Sequence, residues 1–468
     1  MLDSMNKFLT AVDDAVWGIP LIVMILATGI FLTIRLKGLQ VRKLLLAFRY
    51  MLSDEKDGDT GDISSFGALC TALSATIGTG NIVGVATAIV AGGPGALFWM
   101  IVAAIFGTAT KYAEGLLAIK YRTVAEDGHV VGGPFYYIEN GMGKQWRWLG
   151  KIFAFFGLCV GLMGIGTFTQ INGITSAVNN FFDPNNLHTI DLFGRSYSWS
   201  VVIAGIVLTV LVAFVVIGGI QRISSVSQVV VPFMAIAYVA FALLILLLNI
   251  SAIPGAIAEI VQGAFGLRAA AGGALGAMIS AMQKGIARGI FSNEAGLGSA
   301  PIAAAAAQSN EPVKQGLISM LGTVIDTIII CTMTGLTIVI TGTWDMGLEG
   351  VAVTTKAFQM GLPFSAQVSS FILMLCLIFF AFTTILGWDY YSERCLDYLS
   401  HNNATAVKCF RWLYIACVFI GPYMTVSAVW TIADIFNGLM AIPNLIALLA
   451  LNGVVVAETK KYFEKIRK

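Results

Sequence analysis

The chain has 468 residues, of which 57% are hydrophobic and only 12% are charged, with a formal net charge of +2. Together with a mean hydropathy of +0.83, this composition excludes a water-soluble globular protein and indicates an integral protein of the lipid bilayer. The near-neutral charge gives no basis for nucleic-acid binding. The seven cysteines show no CxxC or metal-ligand spacing, and we interpret them as free thiols within apolar segments.

Eleven apolar segments are long enough to cross a bilayer, since a span needs about 20 residues. They begin near Trp17, Leu69, Ala96, Ile152, Ser200, Val226, Ala270, Leu317, Val368, Phe410 and Ile432. The sequence therefore predicts an all-α polytopic membrane protein with about 11 transmembrane helices, in which residues 1–468 form a single transmembrane domain.

Lysine and arginine side chains lie mainly on one side of these predicted spans. Arg35, Arg42 and Arg49 follow the first span, and Lys461 and Lys465 lie in the C-terminal segment. Basic loops stay in the cytoplasm. We therefore expect a multi-pass protein of a bacterial or archaeal plasma membrane, with its N-terminus outside and its C-terminus in the cytoplasm.

The segment Ala72–Trp99 begins as an apolar helix and is interrupted by Ile77-Gly78-Thr79-Gly80-Asn81. Each glycine costs about 1 kcal/mol relative to alanine inside a helix. A break at membrane depth is tolerated only where the freed backbone lines a cavity or is buried in protein. Freed carbonyl groups attract cations and freed amides attract carboxylates. The alternative is a kinked packing helix in which small residues allow close approach.

A second interrupted segment, 270–307, is unusually polar because it contains Lys284, Arg288 and Glu294. Charges at membrane depth are functional candidates unless they are solvated. Arg288 and Glu294 could pair across a break at Phe291–Gly296, as structural or gating residues. Alternatively, Lys284 and Arg288 lie near the outer surface. For Glu294, a clamp on the unwound segment and a direct substrate contact are both open.

Two broken segments at matching positions predict a binding site between two repeats. We expect an extra N-terminal helix at 17–36, a first five-helix repeat at 66–249 and a second, inverted repeat at 268–457. Among the connecting segments, Ser251–Gly266 is amphipathic and is predicted to lie at the outer interface. Gly342–Gln367 carries short helical patterns that could cap an external vestibule.

Other polar groups occur inside apolar runs. Neighbouring hydroxyls at Thr383 and Thr384 suit a hard cation, although helical threonines often bond only to their own helix. Gln170 lies in a polar patch, where it could contact substrate or simply join two helices. Asp326 is isolated, and it could pair with Lys284 or Arg288 or lie near an ion path. Two further acids are interpreted as solvated or structural: Glu114 and Asp434.

The longest motifs are GTGNIVGVATAIVAGGPGALFWM (Gly78–Met100) and FSNEAGLGSAP (Phe291–Pro301). Both resemble the alanine or glycine:cation symporter family, and the similarity extends over nearly the whole chain. The resemblance implies a sodium-coupled carrier of small amino acids, with the 5+5 inverted-repeat fold of the bacterial leucine transporter.

The resemblance also implies site residues. Sodium would bind the backbone carbonyls of Ser74 and Ile77 and the hydroxyls of Thr383 and Thr384, with a possible second ion at Thr76 and Asn81. The substrate-binding residues would be Gly78, Thr79, Gly80, Asn81, Phe168, Gln170, Ile174, Phe291, Thr384 and Trp388. The family commonly has a small residue after this tryptophan, whereas here Asp389 follows it, which leaves the specificity open.

The leading hypothesis is a non-enzymatic secondary transporter that couples inward sodium flux to uptake of alanine or glycine, with serine as a further candidate. A proton-coupled carrier is the alternative, with Glu294 or Asp326 as proton carriers, because all three histidines are in predicted loops. No HExxH or other catalytic set indicates an enzyme. Two broken helices and an occluding aromatic side chain favour a carrier over a channel. No P-loop indicates a nucleotide.

Overall fold

The computed structural model describes residues 2–53, 60–125, 128–192, 195–267, 273–424 and 427–467. Within these ranges, nine helical stretches are long and apolar enough to span a membrane, and one bent helix pair makes a tenth. The prediction of an all-α polytopic membrane protein is therefore confirmed. The count of eleven spans and the inverted repeat stay predictions, and Ala270, where one predicted span begins, lies outside the described residues.

The N-terminal helices surround the first broken segment. They are α1 (Leu2–Val16), α2 (Ile19–Arg35), α3 (Leu39–Arg42), α4 (Leu44–Leu52), α5 (Ser65–Thr76), α6 (Val85–Gly92) and α7 (Gly95–Lys120). The sequence did not predict α1, which packs against α21. Pro20 lies in the first turn of α2, where its missing N–H is tolerated. The Trp17 indole N–H, between α1 and α2, donates to the Asp434 carbonyl oxygen on α21 at 2.9 Å.

Two short antiparallel hairpins interrupt the next helices. The elements are β1 (Thr123–Val124), β2 (Val130–Val131), α8 (Pro134–Tyr137), α9 (Arg147–Met163), α10 (Phe168–Phe182), β3 (Thr189–Leu192), β4 (Arg195–Ser198), α11 (Trp199–Val216), α12 (Gly219–Leu248) and α13 (Ile253–Ala264). The amphipathic segment Ser251–Gly266 thus forms α13. It packs closely on α7, since a Cβ added at Gly95 would lie 2.2 Å from the Ala264 amide nitrogen.

The C-terminal half begins with the second broken segment. Its helices are α14 (Ala274–Asn293), α15 (Ala300–Ala305), α16 (Pro312–Thr323), α17 (Thr332–Thr341), α18 (Val351–Gly361), α19 (Ala366–Leu399), α20 (Ala404–Ile420), α21 (Ser427–Ala450) and α22 (Asn452–Arg467). A π-helical stretch, Val324–Cys331, makes α16 and α17 one continuous span. The helix α18, within the predicted external cap, packs on the first break, where the Thr354 hydroxyl donates to the Ile82 carbonyl oxygen at 3.1 Å.

The helix α7 holds the two broken segments together, because it packs against α14 and α15 and also against α6. Its burial includes polar positions such as Lys111 and Glu114, which are 2% and 1% exposed. Helices in lipid gain little from the hydrophobic effect between them, so close packing and internal polar contacts stabilise such a core. This packing places both breaks in the protein interior.

Candidate substrate and ion site

The first break lies between α5 and the π-helical turn Gly80–Gly84, and the two helical parts differ in direction by 52°. The Gly78 amide donates to Asn81 Oδ1 at 2.9 Å, and the Thr79 amide donates to Gln170 Oε1 at 3.2 Å. In a continuous helix these amides would bond to the carbonyls four residues earlier, at Ser74 and at position 75. Those two carbonyls are therefore released at the negative end of the α5 dipole.

The helix α19 lies against this released backbone. The Thr384 hydroxyl is 3.2 Å from the Ile77 carbonyl oxygen and 3.0 Å from that of Phe380. A Cβ added at Gly78 would lie 2.5 Å from Thr384 Oγ1, so only glycine fits here without displacing a neighbour. The predicted ion residues Ile77 and Thr384 are thus in contact, and Ser74 is fully buried one turn before Ile77.

The Thr383 side chain faces a different neighbour. Its hydroxyl donates to the carbonyl oxygens of Phe379 and Phe380, at 3.1 and 3.0 Å, and lies 3.5 Å from the Met234 sulfur on α12. The bonding to its own helix that the sequence left open is therefore present. Among the two neighbouring hydroxyls, it is Thr384 that contacts the break.

The second break runs from the end of α14 to the start of α15. Three of its residues have positive φ angles: Glu294 (56°), Gly296 (89°) and Gly298 (85°). The predicted break at Phe291–Gly296 is therefore real but begins three residues later, because α14 continues to Asn293. The Ser299 hydroxyl donates to Glu294 Oε2 at 2.5 Å. In this conformation Glu294 acts as a clamp within the unwound segment.

Side chains from two other helices satisfy the unwound backbone of this second break. The Gly296 amide donates to Glu114 Oε1 at 3.1 Å, and Asn444 Nδ2 donates to the same carboxylate oxygen at 2.7 Å and to the Gly296 carbonyl at 2.9 Å. Because Glu114 is 1% exposed, its role is structural rather than that of a solvated surface acid. No sequence pattern indicated a role for Asn444.

The carboxylate of Asp326 joins the two breaks. It accepts hydrogen bonds from Asn81 Nδ2 at 2.7 Å, from the Ser292 hydroxyl at 2.9 Å and from the Thr327 hydroxyl at 2.7 Å. These contacts replace the predicted pairing with Lys284 or Arg288. The isolation of this acid in an apolar run was the sequence feature that marked Asp326 as a functional candidate. Its partners Asn81 and Ser292 could not be predicted, because they lie on other helical segments of the chain.

Arg288 lies on the wall of an open cavity of about 350 Å³, together with Lys284, Asp13 and Asp434. Its guanidinium is 5.5 Å from the ring centre of Phe291. The predicted pairing of Arg288 with Glu294 is therefore wrong, because the arginine turns into the cavity whereas the glutamate turns inward to Ser299.

Phe291 separates this cavity from the first break. Its side chain contributes to the cavity wall, and a Cβ added at Gly80 would lie 3.5 Å from the same ring. An aromatic side chain between a polar cavity and a buried site can act as a gate. Phe291 thus lies next to Gly80, and its role as a substrate contact stays a prediction.

The possible second ion site at Thr76 and Asn81 is not assembled. The Asn81 side chain bonds to Gly78 and Asp326. In contrast, Thr76 lines a separate, water-sized cavity that it shares with the buried Lys111. Thr76 and Asn81 thus have different partners in this structure, and a second ion at these residues stays a prediction.

The remaining predicted pocket residues are all buried, and their contact with substrate stays a prediction. Ile174 lies one turn from Gln170, on the same face of α10, and is 1% exposed. Phe168 packs beside Gly421. Trp388 is 1% exposed and packs edge-on against Tyr391, with ring centres 5.6 Å apart. The described geometry therefore places Ile174 and Trp388 within the core that carries the site.

Charge is unevenly distributed around the breaks. The buried carboxyls of Glu114, Glu294 and Asp326 all interact electrostatically with the single ammonium of Lys111. Within this group of four, acids exceed bases by two. Buried charge needs a partner, so the group favours a bound cation or bound protons.

Two broken helices in one buried core, linked by the carboxylate of Asp326, are typical of a secondary transporter. The fold resembles that in the crystal structure of MhsT in complex with L-phenylalanine, with a TM-score of 0.53, 13% sequence identity and coverage of 86% of this chain and 98% of MhsT. The predicted leucine-transporter type of fold is thereby confirmed.

The chain belongs to the sodium:alanine symporter family, whose family model matches residues 2–468. An uncharacterized transporter of Haemophilus influenzae is 52% identical over 466 residues, which cover 99% of this chain and 97% of the relative. The sodium/alanine symporter AgcS of Methanococcus maripaludis is 45% identical over 469 residues, which cover 99% and 98%. Family membership makes this chain a multi-pass amino-acid:cation symporter. This general class is the one that the sequence predicted.

Proposed function

We propose that this protein couples inward sodium flux to the uptake of alanine and glycine by alternating access, with serine as a further candidate. Sodium is the co-transported ion, and the N-terminus lies outside and the C-terminus in the cytoplasm, as the positions of the basic residues predict. The observation that carries the proposal is the contact between the Thr384 hydroxyl and the Ile77 carbonyl, at 3.2 Å, beside the released end of α5.

This contact supports a sodium site because it collects neutral oxygen atoms. The carbonyls of Ser74 and Ile77 lie at the negative end of a helix dipole, and the Thr384 hydroxyl supplies a further lone pair. Hard cations prefer oxygen ligands. The buried surplus of acidic groups nearby favours a cation over an anion. Thr383 would join the site only after its hydroxyl leaves the carbonyls of its own helix.

The first break also offers a site for the substrate's carboxylate. The amides of Gly78 and Thr79 donate to the side-chain carbonyl oxygens of Asn81 and Gln170. A carboxylate presents two oxygen atoms of the same chemistry, so it can replace these side-chain acceptors. The displaced amide side chains then bond to the rest of the zwitterion, while Phe291 and Trp388 restrict the room for its side chain.

The proposal is tested by uptake of radiolabelled alanine into proteoliposomes with and without an inward sodium gradient. We expect accumulation only with the gradient, and competition by unlabelled glycine. Uptake that persists without sodium and collapses with a protonophore would instead support the proton-coupled alternative. In that case the buried carboxyls of Glu294 and Asp326 are the candidate proton carriers. Absence of alanine uptake under either gradient would contradict the proposed substrate.

Replacing Gln170 with alanine tests the substrate part of the site. Because Gln170 Oε1 accepts from the Thr79 amide, its loss removes one polar contact near the carboxylate. A net hydrogen bond of about 1.4 kcal/mol corresponds to about a tenfold rise in KM for alanine. The measurement is the alanine dependence of initial uptake at saturating sodium.

The matched control is Asn172→Ala on the same helix, since the Asn172 amide group bonds to the Met424 carbonyl at 3.4 Å instead. We expect KM for alanine to stay within about twofold in this variant. Equal effects in the two variants would show that Gln170 serves only to join α10 to its neighbours.

A further inference from the structure

The side chain of Asp389 has an environment that sodium binding and substrate binding do not explain. It lies on α19, five residues beyond Thr384, and is 0% exposed. Both of its carboxyl oxygens are buried without a hydrogen-bond partner. An ionised carboxylate is very costly in such a place, whereas a neutral carboxylic acid is far less so.

The charged groups around Asp389 are already paired with each other. Arg411, on α20, donates to Glu393 from Nε at 2.5 Å and from Nη2 at 2.9 Å. Arg394 donates to Glu393 at 2.7 Å and pairs with Asp397 at 3.0 Å. Two arginines thus balance two carboxylates, and an ionised Asp389 would add an uncompensated negative charge.

The other titratable group that faces Asp389 from α20 is Tyr414. Its hydroxyl is engaged with two backbone carbonyls, those of Gly166 at 2.8 Å and Ile385 at 2.7 Å. It therefore does not supply the hydrogen bond that an ionised Asp389 would need. A metal cation is also disfavoured as a partner, because Arg394 and Arg411 both act electrostatically on this carboxyl.

We propose that Asp389 is a proton-binding site of this transporter. It holds a proton while α19 and α20 are packed as they are here, and it releases the proton to water when this end of α19 opens. The binding of the proton depends only on the local packing. Its role in the transport cycle rests on the proposed function, in which α19 also carries Thr384.

The first test needs no transport. Infrared spectra of the purified protein at neutral pH should contain a carbonyl stretching band of a protonated carboxylic acid that is lost in Asp389→Asn and in Asp389→Ser. Glu458→Gln is the control, because Glu458 pairs with Lys120 at 2.9 Å and takes no part in the arginine pairs beside Asp389, and it should retain the band. Other buried acids, such as Glu294 and Asp326, contribute equally to all variants. A wild-type spectrum identical to that of both Asp389 variants would overturn the proposal.

A second readout is the pH dependence of Tm for the detergent-purified protein. If the folded state holds a proton that the unfolded chain releases, stability falls as pH rises. We therefore expect Tm to fall more steeply from about pH 6 to about pH 9 in wild type and Glu458→Gln than in Asp389→Asn. Equal slopes in all three proteins would contradict a proton on Asp389.

The transport role is tested by sodium-driven alanine uptake at equal pH on both sides of the membrane. We expect wild-type uptake to change about threefold or more between about pH 6 and about pH 9, and Asp389→Asn uptake to change less than about twofold. If wild type takes up no alanine, the proposed function fails while the infrared result still decides on the proton. If the spectra show the Asp389 band but the pH profile of uptake is unaltered in Asp389→Asn, then Asp389 binds a proton and has no role in the transport cycle.

Discussion

Replacing Thr384 with alanine should weaken the sodium dependence of alanine uptake. The variant removes the hydroxyl that contacts the Ile77 carbonyl, while the backbone of the break remains. Loss of one ligand should raise the sodium concentration for half-maximal uptake about tenfold or more, which corresponds to about 1.4 kcal/mol. The measurement is the initial rate of alanine uptake into proteoliposomes over a sodium titration.

Two further variants make this result specific. Thr384→Ser keeps the hydroxyl and should restore most of the sodium response. Thr209→Ala removes a half-buried helical hydroxyl on α11 that bonds to the Gly205 carbonyl at 2.7 Å, and it should leave sodium coupling unchanged. If sodium-dependent uptake is unaffected in Thr384→Ala, the proposed function stands, but sodium does not bind at Thr384.

Replacing Gly78 with alanine should reduce alanine uptake more than about tenfold, even at saturating sodium and alanine. The added methyl group would lie 2.5 Å from Thr384 Oγ1 and 3.2 Å from Gln170 Oε1. It therefore displaces a proposed sodium ligand and a proposed substrate ligand at once. The measurement is the maximal uptake rate per amount of reconstituted protein.

The second glycine of the break, Gly80, provides the control. A Cβ added at Gly80 would meet its nearest atoms at 3.5 to 3.7 Å, on Phe291 and Ser292, which is ordinary van der Waals contact. We expect Gly80→Ala to keep uptake within about twofold of wild type. If both glycine variants lose uptake equally, flexibility of the break rather than the space beside Thr384 is what transport requires.

The broken helices could be predicted because their cause is local. Two glycines close together in an apolar run, at Gly78 and Gly80, weaken a helix wherever they occur. At the second break the same reasoning located the interruption near Phe291. It missed the start by three residues, since α14 continues to Asn293 and Glu294 is the residue whose φ turns positive.

The ligands of the unwound segments could not be predicted, because they come from distant helices. Asp326 meets Asn81 across 245 residues of sequence, and Asn444 meets Glu114 across 330. No local pattern encodes such pairs. The same reason explains the wrong pairing of Arg288 with Glu294, which are close in sequence although Arg288 faces the open cavity and Glu294 contacts Ser299.

By itself, the sequence determined the membrane class, the all-α fold and the two interruptions, because hydropathy and glycine placement act over one helix length. Its long motifs also indicated the family. Only the tertiary structure decided which polar groups meet: Thr384 rather than Thr383 at the first break, and Asp326 between both breaks. Side-chain direction on a helix depends on the neighbours that pack against it, and burial then requires each polar group to find a partner. Asp389 also shows this dependence, since only the packing of α19 with its neighbouring helices leaves its carboxyl buried without a partner.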